Sequence, residues 1–333
     1  MNRGVVLPAP KAAVQVEELP VPHPAPGEVL LRMEACGVCH SDLFIAGMEK
    51  PPVVPLVLGH EGIGRVEAVG EGVTSFAKGD RAGVTFLASS CGSCELCRTG
   101  RERFCARQLN TGYTTPGVLA ELVSVAAQHL VRVPLGLSAA DVAPMCCAGW
   151  TAYRAVKETG LQAGATIAIF GMGGLGHLAV QFARHAGLHV AAVDVAEDKL
   201  QLAREVGAEI TVKAENAGRT LQKECGGVDG AVVVTGSPAA AGQALRSLKR
   251  CGTAVLVGMA QGPAELPIVD TILKGITIRG SYLGARADLE EVFRLSAAGV
   301  ARAHVEAYGI GEAPQAFQRL HQGEVAGRAV ISF

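Results

Sequence analysis

The chain has 333 residues, 49% of them hydrophobic, with 42 glycines and a formal net charge of −1 at pH 7. That length exceeds the roughly 250–300 residues at which one core stops growing, which predicts two domains, and the glycine-rich apolar composition suits a turn-rich α/β protein. Near-neutral charge without a stripe of Lys or Arg argues against nucleic acid or an anionic membrane as the main partner.

The opening MNRGVVLPAPKAAVQVEELP holds no apolar stretch long enough for a signal peptide, and no later run of about 18 apolar residues predicts a membrane span. The expected compartment is the cytoplasm, where ten cysteines point to metal or catalysis before disulfides. Residues 1–147 then read as short strands broken by Gly and Pro. EVLLRMEACGV (28–38), GIGRVEAVGEGV (62–73), KGDRAGV (78–84) and AELVSV (120–125) alternate apolar and polar positions, as antiparallel half-buried strands do. The pattern changes near residue 150. TIAIFG (166–171) is a buried-strand run, GGLGHLAVQFARHAG (173–187) has helical spacing, LHVAAVD (188–194) is a strand and AEDKLQLAREVGA (196–208) a helix. GAVVVTG (230–236), helical AAGQALRSLKRCG (240–252) and TAVLVGM (253–259) continue the alternation. This predicts a parallel sheet covered on both faces. Helical ADLEEVFRLSAAG (287–299) leads to a last strand in GRAVISF (327–333).

FGMGGLG places Gly171, Gly173 and Gly176 in G-x-G-x-x-G spacing after a predicted strand and at the start of a predicted helix, the context that gives the triplet meaning. The first glycine permits the tight turn, the second lets backbone approach a pyrophosphate, and the third allows close helix–strand packing. Unpaired N–H groups of the helix N-terminus then face the phosphates. Gly174 and Leu175 complete the loop. Asp194 ends the next strand, where a carboxylate accepts from both ribose hydroxyls and repels a 2′-phosphate, so NAD is expected over NADP. Capping of the helix near Ala196 is the plainer role for Asp194, compatible with the first. Lys199, in that helix, is a further candidate cofactor contact.

SSCGSCELCRTGRERFC (89–105) carries cysteines at 91, 94, 97 and 105. C-x2-C-x2-C-x7-C supplies enough thiolates to close a tetrahedral zinc shell with no open position, which makes the site structural. Arg98, Arg101 and Arg103 lie between the third and fourth ligands and are expected to offset the negative cluster. A second set is scattered: Cys36 and Cys39 in CGVCHSD, His60 in LGHEG, Cys146 and Cys147 in PMCCAGWT. Buried free cysteines are common, and spacing by itself does not choose among them.

Taken together, GVCHSDL, GHEGIGRVEAVG, the four-cysteine lobe, CAGWTAYRA, GMGGLGHLAVQFA, GSYLGARADLEE and GEVAGRAV resemble the zinc-dependent alcohol dehydrogenases of the medium-chain dehydrogenase/reductase family, in order and over essentially the whole chain. The resemblance implies an α/β protein with a GroES-like β-barrel catalytic domain (1–147, completed by 285–333) and a Rossmann doubly wound NAD-binding domain (148–284). It implies NAD and two zinc ions per chain. Cys39, His60 and Cys147 would be the ligands of a catalytic zinc, leaving a fourth position for water or substrate. Asp42 would orient His60, and Glu61 corresponds to the family's near-metal glutamate. Ser41 matches the hydroxyl that begins proton release, and His40 and Arg328 match basic contacts to the pyrophosphate. A metal ion there acidifies an alcohol hydroxyl as it does water, and hydride then leaves the adjacent carbon for a nicotinamide. The implied activity is the interconversion of small alcohols with aldehydes or ketones. A specialised polyol dehydrogenase or an aldehyde reductase is the alternative within the family, and a non-catalytic nucleotide-binding protein the alternative outside it. Homodimers or homotetramers are expected, paired through the exposed sheet edge around ITIRGSYLG.

Two positions depart from the pattern. Phe86 stands where relatives that prefer ethanol carry tryptophan, and Lys50 lies near a second such position, so a roomier substrate pocket is expected. Phe44 occupies the place of a histidine that finishes the proton relay in many relatives. Phenylalanine carries no proton, so alcohol oxidation should be slow below the alkaline range. Phe44→His should raise the rate near pH 7; a pH–rate profile identical to that of the parent enzyme would count against this assignment.

Overall fold

The computed structural model describes residues 1–333. The chain divides into two compact units, Met1–Ala148 with Ala285–Phe333, and Gly149–Gly284. No helix is long and apolar enough to cross a membrane.

The first unit is built on a seven-stranded sheet in which Val131–Arg132, Arg81–Val84, Glu61–Val69, Glu28–Gly37, Arg328–Ser332 and Val305–Gly309 lie side by side, with Leu122–Ala126 also paired to Glu28–Gly37. Glu28–Gly37 starts with alternating burial and then turns continuously buried at Ala35, Cys36 and Gly37, where the strand enters the interior. Its pairing with Glu61–Val69 runs antiparallel from Val29↔Val69 to Gly37↔Glu61. Each strand therefore delivers its buried end to the same place: Cys39 follows one, and His60 precedes the other. Arg328–Ser332 joins antiparallel to Glu28–Gly37 yet parallel to Val305–Gly309. The alternation in VEAYG had carried no strand expectation. Leu7, Leu31, Leu58, Val66 and Leu119 fill the core between these elements.

The second unit is a six-stranded sheet in the order Ile210–Lys213, His189–Asp194, Thr166–Phe170, Val228–Val233, Leu248–Leu256, Thr277–Gly280, every pairing parallel. Ile167, Ala168, Ile169 and Phe170 are all buried, as a strand covered on both faces requires. The strand order reverses between Thr166–Phe170 and its neighbour Val228–Val233, and at such a switch point a crevice opens at the strands' carboxyl ends. The helical reading of 240–252 is corrected. The helix Pro238–Ser247 stops before Leu248, and Leu248–Leu256 is a strand. Cys251 adopts φ +61 there, a left-handed kink in a non-glycine residue that no residue type announced.

Candidate active site and metal centres

Cys39 caps the short helix His40–Ala46, and Asp42 reaches back from that helix so that its Oδ2 accepts the Cys39 N–H at 2.8 Å. The other oxygen of Asp42 accepts the Gly59 N–H at 3.3 Å and lies 3.2 Å from His60 Nδ1, an ionic contact not aligned for a hydrogen bond. One fully buried carboxylate thus ties the residue before the helix to the residues before and at His60. On the other ring nitrogen, His60 Nε2 lies 3.3 Å from Ser41 Oγ.

Cys39, His60, Glu61 and Cys147 bring their ligand atoms within 4.8 Å of one another, all buried. Of the four candidate cysteines, Cys39 and Cys147 lie in this cluster and Cys36 and Cys146 do not. Cys36 turns its Sγ to the Gly37 carbonyl and Cys146 to the Gly62 carbonyl, and burial pushes both thiols well above the ordinary range. Cys39 is drawn well below that range, first by the hydrogen bond from Cys147 and against its own burial. Cys147 is pushed well up by the same hydrogen bond. Burial favours a neutral His60, but Asp42 and then Cys39 outweigh it and pull the imidazole upward. A buried cluster that draws positive charge in this way fits a divalent cation. Two sulfurs with one imidazole form a zinc donor set that keeps one position open.

Glu61 is the fourth group in reach, and Arg328 engages one of its two oxygens. The Arg328 guanidinium donates to Glu61 Oε1 and to the Val38 carbonyl, the latter at 3.1 Å. Burial pushes the Glu61 carboxyl up to about 7 despite that guanidinium, and Oε2 has no hydrogen-bond partner. Arg328 was expected at a cofactor pyrophosphate. What the structure gives it is a burial of 98%, leaving 2% exposed, and Glu61 as counter-ion, because an arginine this deep requires a carboxylate. His40 opens the helix and is exposed, and Phe44 is 48% exposed. The Phe86 ring meets the His60 ring edge-on at 5.0 Å and stacks on Tyr113 at 6.4 Å.

The four cysteines at 91, 94, 97 and 105 form the second cluster. A tetrahedron with metal–sulfur bonds of about 2.3 Å has edges of about 3.8 Å. Sγ–Sγ separations are 3.8 Å for Cys91–Cys97, 3.5 Å for Cys94–Cys97 and 3.9 Å for Cys94–Cys105, and all four thiols are free. The donors are spaced for a metal. Cys91 is lowered to about 5, chiefly by backbone N–H groups of Ser93 and Cys94, while burial raises Cys97 to about 11. The expected arginines have other contacts as well. Arg101 pairs with Glu95 at 3.3 Å and Arg103 lies over the Phe104 ring at 4.7 Å. Arg107, beyond the last ligand, donates its backbone N–H to Cys105 Sγ at 3.4 Å and its guanidinium to Ser93 Oγ at 3.3 Å, and the Cys91 thiol raises its pKa; only a basic residue just outside the motif could have signalled it.

In the second unit, Gly171 has φ +98, and a Cβ on Gly176 would lie 1.8 Å from the Gly171 carbonyl oxygen, so turn and close packing both demand glycine. A Cβ on Gly173 would meet nothing within 4 Å. The protein's own packing makes no use of that glycine, and the open backbone there suits an approaching phosphate at the start of the helix Gly176–His185. Gly174 and Leu175 complete that turn. Asp194 Oδ2 accepts the Met172 N–H at 2.6 Å and Oδ1 the Ala196 N–H at 3.0 Å. The carboxylate therefore anchors the glycine loop as well as the following helix, with lone pairs left over for a ribose. Lys199 is half-buried in that helix.

Residues 25–135 match the alcohol dehydrogenase GroES-like domain family and residues 174–298 the zinc-binding dehydrogenase family. An alcohol dehydrogenase of Moraxella sp. (strain TAE123) is 44% identical over 325 residues, which cover 96% of each chain. The crystal structure of the alcohol dehydrogenase from Aeropyrum pernix superposes with a TM-score of 0.92 at 32% identity, covering 99% of this chain and 100% of that one. Acetophenone reductase from Geotrichum candidum, in complex with NAD, superposes with a TM-score of 0.87 at 31% identity, covering 100% and 97%. With two buried thiols and an imidazole in one unit and a dinucleotide loop in the other, the chain belongs to the zinc-dependent alcohol dehydrogenases of the medium-chain dehydrogenase/reductase family.

Proposed function

We propose that Cys39, His60 and Cys147 hold the catalytic zinc of an NAD-dependent enzyme that interconverts small alcohols with aldehydes or ketones, and that Cys91, Cys94, Cys97 and Cys105 hold a structural one. The observation that carries this reading is the buried three-donor set whose fourth neighbour, Glu61, is engaged by Arg328. When bound, zinc supplies a Lewis acid that acidifies an alcohol hydroxyl, and NAD supplies the hydride acceptor. The chain's own residues do the rest. Asp42 fixes the rotation of His60, and Arg328 keeps Glu61 from closing the coordination shell. Ser41, beside His60 Nε2 at 3.3 Å, takes the first proton. With Phe44 three residues further along the helix, that proton passes to solvent. Gly171, Gly173, Gly174, Leu175 and Gly176 cradle the pyrophosphate. Asp194 selects the unphosphorylated ribose, and His40 and Lys199 add positive charge. Membership of this family sets aside the reading as a non-catalytic nucleotide-binding protein.

A pocket walled by Phe86 rather than a larger indole favours bulky or secondary alcohols and aromatic aldehydes. The cytoplasm is the proposed compartment. A homodimer is the proposed assembly, formed through the second unit. Ile268, Val269, Ile272 and Leu273 are 62–71% exposed on the helix Ile268–Lys274. The neighbouring edge strand Thr277–Gly280 is exposed throughout; an uncovered edge of this kind invites pairing with a second copy.

Three measurements test these assignments. The purified chain should contain two zinc ions, and Cys147→Ser should lose one together with nearly all turnover on ethanol, benzyl alcohol and a secondary alcohol, while still binding NAD. A Cys147→Ser variant that keeps parental activity would refute the catalytic assignment, and a clear ethanol preference would refute the roomy pocket. Asp194→Ser should shift the ratio of kcat/KM for NAD over NADP downward by about tenfold or more; an unmoved ratio removes Asp194 from the selection. Light scattering should return at least twice the chain mass, and a monomer would overturn the assembly.

A further inference from the structure

The four-cysteine lobe and the His60 site belong to one unit, and the segment that leaves the lobe packs on the backbone just before His60. The lobe is the loop between the strands Leu87–Ser89 and Leu109–Asn110, which pair antiparallel with Leu87 opposite Asn110. The chain leaving that pair, Asn110–Gly117, lies directly against the residues that precede His60. A Cβ on Gly117 would sit 2.3 Å from the Leu58 carbonyl oxygen, and one on Gly112 2.8 Å from that of Gly59. The contact is backbone on backbone. Gly117, Val118 and Leu119 donate to the carbonyls of Val57, Gly59 and Leu58 at 2.7, 3.0 and 2.9 Å. Gly59 itself has φ +90 and donates to Asp42. At its other end the segment holds the pocket wall: Thr111 N–H donates to the Phe86 carbonyl at 2.9 Å, and the Tyr113 ring stacks on Phe86.

We propose that Asn110–Gly117 is a positioning clamp through which metal in the four-cysteine lobe sets the affinity of the His60 site for its own metal. This rests on the zinc assignments of the proposed function. Closing the lobe with a metal removes the freedom of the loop between Ser89 and Leu109 and so fixes where Asn110 enters. With no side chain between Gly112 or Gly117 and the 58–59 backbone, a shift of the segment moves Leu58–Gly59, hence His60, with nothing soft to absorb it. The dependence runs both ways, since coupling between two binding sites is reciprocal.

The test follows zinc release from the two-zinc enzyme to a chromogenic chelator, with amide exchange at Val118 and Leu119 read in parallel. Gly117→Ala should keep the lobe zinc and release the other about tenfold faster, the scale at which supporting partners tune metal sites. Thr114→Val, which deletes the hydroxyl accepting the Asn110 N–H at 2.7 Å, should act in the same direction, by a few-fold. Cys97→Ser, emptied at the lobe, should expose both amides and hasten loss of the remaining zinc. Gly311→Ala, whose Cβ meets nothing within 4 Å, should match the parent. Parental release and exchange rates in Thr114→Val and Cys97→Ser overturn the clamp, whether or not Gly117→Ala folds. A parent chain holding only one zinc fails the site assignment instead, a result that metal analysis distinguishes before any kinetics.

Discussion

Burying ionisable sulfur, imidazole and carboxylate together is tolerable only when positive charge is buried with them. Cys39, Cys147, His60 and Glu61 are all withdrawn from solvent at one point of the first unit, and the structure meets their demand from two directions. Arg328 pairs with Glu61. On the proposed assignment a metal ion would answer the remaining three donors, and the same requirement that threatens the fold would create the reactive centre. Asp42 is the third participant: it accepts from Cys39 and Gly59 while facing His60, so the donors are fixed in place by the groups that balance them.

The four-cysteine lobe obeys a different economy of charge. It is half-exposed, its thiols are assisted by backbone N–H groups and by Arg107, and its sulfur spacing already matches a closed tetrahedron. Nothing in its geometry leaves room for a substrate. One protein thus carries both kinds of thiolate site, distinguished by whether the protein supplies the last ligand. The dinucleotide unit shows the same division. Gly171 and Gly176 are glycine for the protein's own packing, whereas a Cβ on Gly173 would meet nothing within 4 Å.

Local patterns were legible in the sequence. The cysteine spacing, the glycine triplet after a strand and the alternation of strands with helices each live within about 30 residues, where spacing maps directly onto geometry. What depended on distant partners was not. Arg328 finds Glu61 across 267 positions, and no periodicity reports that. Family resemblance named Cys39 and Cys147 over Cys36 and Cys146, but the physical reason is visible only in the sheet, where the rejected thiols face the carbonyls of Gly37 and Gly62. The helix expected across 240–252 failed because Leu248–Cys251 continues an amphipathic pattern that tertiary pairing with Val228–Val233 overrides.

The placement of Arg328–Ser332 has a consequence for how the molecule comes into being. This strand lies inside the first unit's sheet, between Glu28–Gly37 and Val305–Gly309, yet it follows the whole of Gly149–Gly284 in the chain. During synthesis the contiguous nucleotide-binding unit emerges complete, while the barrel must wait with a gap in its middle and Glu61 without its arginine. Vectorial translation therefore favours maturation of the second unit first, and the long-range pairing that closes the barrel is the slow, aggregation-exposed step.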